Sequence, residues 1–483
     1  MNTDSRALHE ACDRTAAASP VASSQRVDLL DVLRGFALIG ILLMNIEWFT
    51  RPIADLPRMD PTLTGIDYAA AWLVKIFVEG KFYKLFSLLF GMGFAVMLTR
   101  AEARGQPFAA MFARRMGALF VFGILHLVLL WGGDILHRYA VGGLLLLAWI
   151  ILLRRPRLRR FDDERILLRL SLTLLALPFM AAAIAGFGYG LVHDRGELDR
   201  LWQQRLDVEA RADALLAQAK AEAHATAPAS RAEGTDSAAA APDSPQALAA
   251  RRAELRAEHE RRLAEETAAL TQPSFLEATR YRARDALRHL AEAPSFVFSP
   301  LLPIFLFGYW LIRSGVLHHP ERHLPRYRVV AWLGLGAGFA ISVAAYTLIA
   351  HPATRLIPSI APLALHAAQL SQYLMTAGYV AVFVLAMQHP RWRPRLLGLA
   401  PLGRMALTHY LMHSVILGLL FYGYGLALLG EVPRASQLLL VPVIIGAQWA
   451  FSRYWLARFR HGPLEWVWRC ITYWRWQPLR RPA

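Results

Sequence analysis

The side chains best suited to chemistry cluster at the end of one apolar run. His126 lies in Leu125-His126-Leu127, and Trp131-Gly132-Gly133-Asp134-Ile135-Leu136-His137 follows at once. Asp134 and His137 stand three apart, so they share a face if the turn is helical. A histidine beside a carboxylate is the minimum for general-base catalysis, because the carboxylate orients the imidazole and stabilises its cation. Two histidines and one aspartate could also ligate a metal or form a structural hydrogen-bonded cluster. These residue types leave all three readings open, and no metal site is assigned.

Other polar residues sit in apolar surroundings, where an ionisable group marks a site by default. Asp31 and Arg34 open the first apolar run, and Asn45 follows about 16 Å deeper at helical rise. The pair reads either as an interfacial ion pair or as a clamp in which Arg34 grips phosphate or carboxylate. Arg404 is a second candidate clamp, followed by Tyr410 as a candidate oxyanion contact. His409 and His413 share a helix face at i, i+4, but the glutamate of a zinc-hydrolase helix is missing at position 410. Together with Gln448 and Ser452 they read as a polar stripe in the bundle core. Glu79, Lys81 and Lys84 precede Gly91 and Gly93, a segment read as close helix packing.

The elements that must position these groups are transmembrane helices. Of 483 residues, 55% are hydrophobic and 18% charged, against about a quarter charged in a soluble domain. About 20 apolar residues cross the hydrocarbon. Ten spans are read, at roughly 33–50, 77–98, 113–131, 135–153 and 166–192, then 296–314, 329–350, 362–387, 402–429 and 436–457. The fold class expected is all-α, a polytopic transmembrane bundle with a charged helical extramembrane insertion. Arginines crowd the connections near 100–115, 154–165, 313–328 and 391–395 and the C-terminal tail. By the positive-inside rule these face the cytoplasm, as do both termini. The net charge of +17 is then that of cytoplasmic loops, and no nucleic-acid module accompanies it.

Five regions follow. Residues 1–25 form a disordered tail without the apolar core of a signal peptide. Residues 26–192 and 273–457 form two five-span halves. Residues 193–272 form an extracytoplasmic insertion, with helical arms at about 197–223 and 246–270. Residues 458–483 form a basic, aromatic interfacial tail. Cys12 and Cys470 make no disulfide framework.

Five blocks carry a resemblance. They are Asp31-Val32-Leu33-Arg34-Gly35-Phe36-Ala37-Leu38-Ile39-Gly40-Ile41 with Asn45-Ile46; Gly80 to Gly93; His126 with Gly133-Asp134-Ile135-Leu136 and Tyr139; Gly403-Arg404-Met405-Ala406-Leu407-Thr408; and Gly462-Pro463-Leu464-Glu465-Trp466. Together they resemble the domain of unknown function 418 (YeiB-like) family of bacterial membrane proteins, over about 26–190 and 275–473. That family is similar to the transmembrane acyltransferases, including the acyltransferase-three proteins and the lysosomal-type glucosaminide acetyltransferases. The resemblance implies a bundle that takes an acyl group from cytoplasmic acyl-CoA and delivers it to an outer-side sugar or glycolipid. Acyltransferase-three proteins carry a histidine where this chain has Asn45. An amide cannot take up the proton, so His126 or His137 would supply the base, with Asn45 or Tyr410 polarising the carbonyl.

The expectation is therefore an inner-membrane acyltransferase. Asp31, Arg34, Asn45, Arg404 and Tyr410 would bind donor and acceptor, and His126, Asp134 and His137 would catalyse. Acyl-CoA is the expected donor, and the lipid bilayer, an extracytoplasmic acceptor and a homodimer or protein bound through 193–272 are the expected partners. A transporter or exporter without acyl-transfer chemistry is the alternative.

Overall fold

The computed structural model describes residues 28–481 except 57–58, 61, 292–300, 318, 352–359 and most of 193–244. Most of the expected first arm of the insertion and all of residues 1–25 lie outside the described residues.

The first helix, α1 (Asp28–Thr50), opens with Asp28 and Asp31 in its first turn, where carboxylates complement the helix dipole. Of its apolar window 72% is buried inside the protein, against 11% for α6 (Glu164–Val192). An all-round apolar helix buried on most faces is a central one, so α1 is the axis of the bundle and α6 lies at its margin. Between them come α2 (Gly65–Phe77), α3 (Lys81–Ala103), α4 (Phe108–Leu129) and α5 (Leu136–Leu153). Helix α2 was not expected as a separate element. It is parted from α3 at Gly80, whose φ of +76° is open to glycine, and an added Cβ there would stand 2.2 Å from the Gln372 side chain.

Two polar helices follow, α7 (Pro245–Thr271) and α8 (Phe275–Ala291). The expected arm at 246–270 matches α7. It is tied down at its far end, since Glu266 accepts the Ile53 N–H at 2.8 Å and the Leu270 carbonyl accepts the Gly423 N–H at 2.7 Å. Helix α8 caps α4, with Arg282 donating to the carbonyls of Val128 (3.1 Å) and Leu129 (2.9 Å). Those are orphan acceptors at a helix C-terminus, which a cation suits twice over.

The second half comprises α9 (Leu301–Arg313), α10 (Leu324–Ala350), α11 (Ile360–Met387), the short α12 (Arg393–Leu397) and α13 (Ala400–Arg404), α14 (Ala406–Phe421), α15 (Arg434–Arg458) and α16 (Pro463–Tyr473). Among the described residues eight helices are long and apolar enough to span. The α12–α13 pair with α14 makes a ninth, bent by 72°, and the 13-residue α9 is apolar but short. The ninth span expected at 402–429 thus begins earlier, at Arg393, and ends earlier, at Phe421, and is broken at Met405 (φ −117°, ψ 28°). Pro401 stands in the first turn of α13, where its missing N–H costs no hydrogen bond, and the break comes at the other end of that helix. It lets α13 lie against α1, where a Cβ on Gly403 would stand 1.8 Å from the Asp31 carbonyl oxygen. Only glycine permits that approach.

Candidate functional site

Three elements converge on His126. It lies in the last turn of α4, Asp134 in the α4–α5 turn and His137 in the first turn of α5. All are at least nine-tenths buried. Gly123 makes the meeting possible, since a Cβ there would lie 2.3 Å from the His137 backbone nitrogen and 2.9 Å from Asp134 Oδ2. Asp134 Oδ1 is 2.8 Å from His126 Nδ1, and Oδ2 is 2.7 Å from His137 Nδ1 and accepts the His137 N–H at 3.0 Å. Burial pushes the Asp134 carboxyl up, but the hydrogen bonds from both histidines outweigh it, and its pKa is lowered. An ionised Asp134 can only accept. Both Nδ1 atoms therefore carry the proton, which leaves His126 Nε2 as an acceptor. That nitrogen is 2.7 Å from Ser414 Oγ on α14. The Tyr410 ring packs beside His126 at 5.1 Å and Trp131 at 6.2 Å, centroid to centroid.

A cavity of about 350 Å³ begins at the end of the bundle that carries the arginine clusters. That volume is within the range of small-molecule sites. Along α3 its lining runs from Arg100 to Phe86, about 21 Å at 1.5 Å per residue. Its mouth is cationic, with Arg34, Arg100, Arg115, Arg404 and Arg469 facing Asp31 and Glu465. Asp31 is paired with Arg34 at 2.8 Å. Arg115 stacks 3.5 Å above the Trp468 ring, whose indole donates to the Arg115 carbonyl at 2.8 Å. The middle is apolar, lined by Phe90, Phe94, Phe112 and Met116. The deep end reaches Ile135, Tyr139 and Tyr410, of which Ile135 is the chain neighbour of Asp134 and Tyr410 packs against His126.

Glu465 on α16 holds the broken span at this mouth. It accepts the Thr408 N–H at 3.0 Å and the Thr408 hydroxyl at 2.6 Å, satisfying an orphan donor of the first turn of α14. Burial pushes its carboxyl up, and the pKa is raised despite these bonds.

The structure thus gathers Asp31, Arg34, Arg404 and Tyr410 on one cavity, with His126, Asp134 and His137 behind its deep end. Asn45 is buried on α1 and does not line it. Spacing did not reveal Arg100, Arg115, Arg469, Glu465 or Ser414, because they reach the site from four separate elements, α3, α4, α14 and α16. The His409–His413 face meets the α15 stripe, His409 Nε2 lying 2.5 Å from Ser452 Oγ and His413 Nε2 2.9 Å from Gln448 Oε1. Those nitrogens face two separate partners rather than a shared metal position. Lys81 and Lys84 are fully buried. Lys84 donates to Gln372, which donates to Tyr346 at 2.8 Å, and Lys84 lies 4.6 Å from the Tyr373 ring centroid.

Residues 311–475 match the family model described as "Protein of unknown function (DUF418)". The chain is 30% identical over 479 residues to the "Uncharacterized protein YxaH" of Bacillus subtilis (strain 168), covering 96% of this chain and 98% of that protein. This chain belongs to the DUF418, YeiB-like family. It is also 27% identical over 448 residues to the "Uncharacterized protein YeiB" of Escherichia coli (strain K12), covering 92% and 95% of the two chains. No solved structure matches it. The family match begins in α9 and takes in Arg404, Tyr410, Ser414 and Glu465. Arg34 and the His126–Asp134–His137 cluster precede it, within the much longer alignment to YxaH.

Proposed function

We propose that this DUF418 protein is a bacterial inner-membrane acyltransferase that draws its acyl group from cytoplasmic acyl-CoA and passes it to an extracytoplasmic sugar, glycolipid or similar hydroxyl or amine. The observation that carries the reading is the continuous cavity, cationic at one end and closed at the other by Tyr410 beside the Asp134-oriented His126. Several phosphates suit a mouth of five guanidiniums. The narrow apolar middle suits a flexible thioester arm, and water excluded there strengthens polar contacts at the reacting carbonyl. The arginine-rich end faces the cytosol with both termini, so the donor enters from the side where acyl-CoA is made. The acceptor comes from the end covered by α7 and α8. A second copy or another protein docks through 193–272.

Purified protein in lipid nanodiscs with radiolabelled acetyl-CoA tests the reading. Acyl transfer or slow thioester hydrolysis is expected. Arg34→Ala should raise KM for the donor about tenfold, the loss of one charge-assisted contact, while His126→Ala should lower kcat by 10²-fold or more, roughly the contribution of a general base. Intact acyl-CoA of every chain length, with folded protein and membrane extract as acceptor source, would refute it.

A further inference from the structure

We infer that Ser414 is a nucleophile that holds the acyl group covalently, activated by His126 with Asp134 behind it. The identity of the donor rests on the acyl-transfer reading above. The serine chemistry rests on geometry alone.

The three groups come from α14, α4 and the α4–α5 turn, and Ser414 and His126 are 288 residues apart in the chain. Asp134 Oδ1 to His126 Nδ1 is 2.8 Å and His126 Nε2 to Ser414 Oγ is 2.7 Å. A base must lie within hydrogen-bond reach of the proton it takes and be oriented by a third group on its other nitrogen. Both conditions are met. The same molecule holds a contrasting pair. His409 Nε2 lies 2.5 Å from Ser452 Oγ, but His409 Nδ1 has no hydrogen-bond partner among the described residues, so no carboxylate sets its tautomer. Other buried serines are also differently engaged. Ser87, Ser171 and Ser452 each donate to the carbonyl four residues back in their own helix, whereas Ser414 Oγ meets an imidazole whose other nitrogen is held by a carboxylate.

Leu407 and Tyr410 line the cavity, and Ser414 lies one turn beyond Tyr410 on the same face, behind the ring that closes the deep end, so Tyr410 must turn aside for the thioester to reach it. Ile135, next to Asp134, lines it too. The Trp131 ring packs 6.2 Å from the His126 ring, centroid to centroid, and its indole N–H is buried without an acceptor among the described residues, as suits a donor to an oxyanion.

In the first half-reaction Ser414 Oγ bonds to the thioester carbonyl carbon as its proton passes to His126 Nε2. The C–S bond then breaks, and the leaving thiolate takes that proton. In the second, the acceptor gives its proton to Nε2 and attacks the acyl-serine carbonyl. Ser414 Oγ leaves and recovers the proton.

The test treats the full-length protein with a fluorophosphonate, whose fluoride an activated serine displaces, and maps the adduct by mass spectrometry. Labelling at Ser414 is expected. It should fall at least 100-fold in H126A and vanish in S414A, both checked for folding by gel filtration, and persist in S452A. In parallel, labelled CoA should exchange into acetyl-CoA without any acceptor. Turnover with an acceptor but neither label nor exchange overturns the serine and leaves acyl transfer standing. A labelled Ser414 with no use of any acyl-CoA upholds the serine and removes the donor assignment. Folded protein that shows neither label nor exchange overturns the proposal.

Discussion

Asp134 is the residue on which the site's proton arrangement depends. Its two oxygens accept from two imidazoles and a backbone N–H. Asparagine offers one acceptor oxygen in place of two, so one imidazole must turn its Nδ1 proton elsewhere and His126 loses its enforced tautomer. Asp134→Asn is therefore expected to lower fluorophosphonate labelling and acyl transfer by up to about 10⁴-fold, the scale known for the same change in a serine-protease triad. The fold should survive, as gel filtration and a thermal scan would show. Ser414 exposes the limit of reading residues along a chain. It stands next to His413 at helical spacing from His409, and nothing in that neighbourhood distinguishes it from the polar stripe. Only the packing of α14 against α4 shows which histidine it meets.

At the scale of elements, the α13–α14 break and its carboxylate cap give a pH signature. Glu465 is raised above an ordinary glutamate, about 4.3 when unfolded. The native state therefore holds the proton more tightly than the unfolded chain. Its contribution is full below the unfolded pKa and is lost as pH rises through the native one. Glu465→Gln does not titrate, so the difference in Tm between variant and parent should move in favour of the variant as pH is raised through that window. Thermal scans in detergent from pH 4 to 8 check this, and a pH-independent difference would mean that Glu465 does not titrate with folding. The block from Gly403 to Thr408 and the block from Gly462 to Trp466 are visible as two motifs. Their contact is not, because the Thr408–Glu465 bonds join residues 57 apart across a break. Helix α8 escaped the reading for a different reason. Its mixed polar sequence lacks a span's hydropathy, and what settles it is the unfilled carbonyls at the end of α4.

For the whole molecule, the direction of the cavity is the testable quantity. Arg100 and Arg115 lie at its mouth, and under the proposed function that end and the arginines after Arg154 face the cytosol, by the positive-inside rule. A fluorescent cytosolic reporter fused after Leu158 should be active and an exported-phosphatase reporter there silent. The converse result would turn the mouth outward and remove access to cytosolic acyl-CoA. The short, apolar α9 and the bent ninth span fit the same picture. Both lie against central helices, where Gly91 and Gly308 let α3 and α9 approach to backbone contact, so neither has to cover a full bilayer thickness alone.

Membrane residence, the helical class and near-ten spans were settled by composition and order along the chain, since transfer into hydrocarbon is a sum over neighbouring residues and needs no partner. So was the pairing of Asp134 with His137, three positions apart. The cavity, its five arginines and the serine facing His126 were decided by the bundle. Each depends on which helix faces lie together, and that is set by interdigitating side chains and glycine contacts between distant segments, for which local hydropathy carries no information.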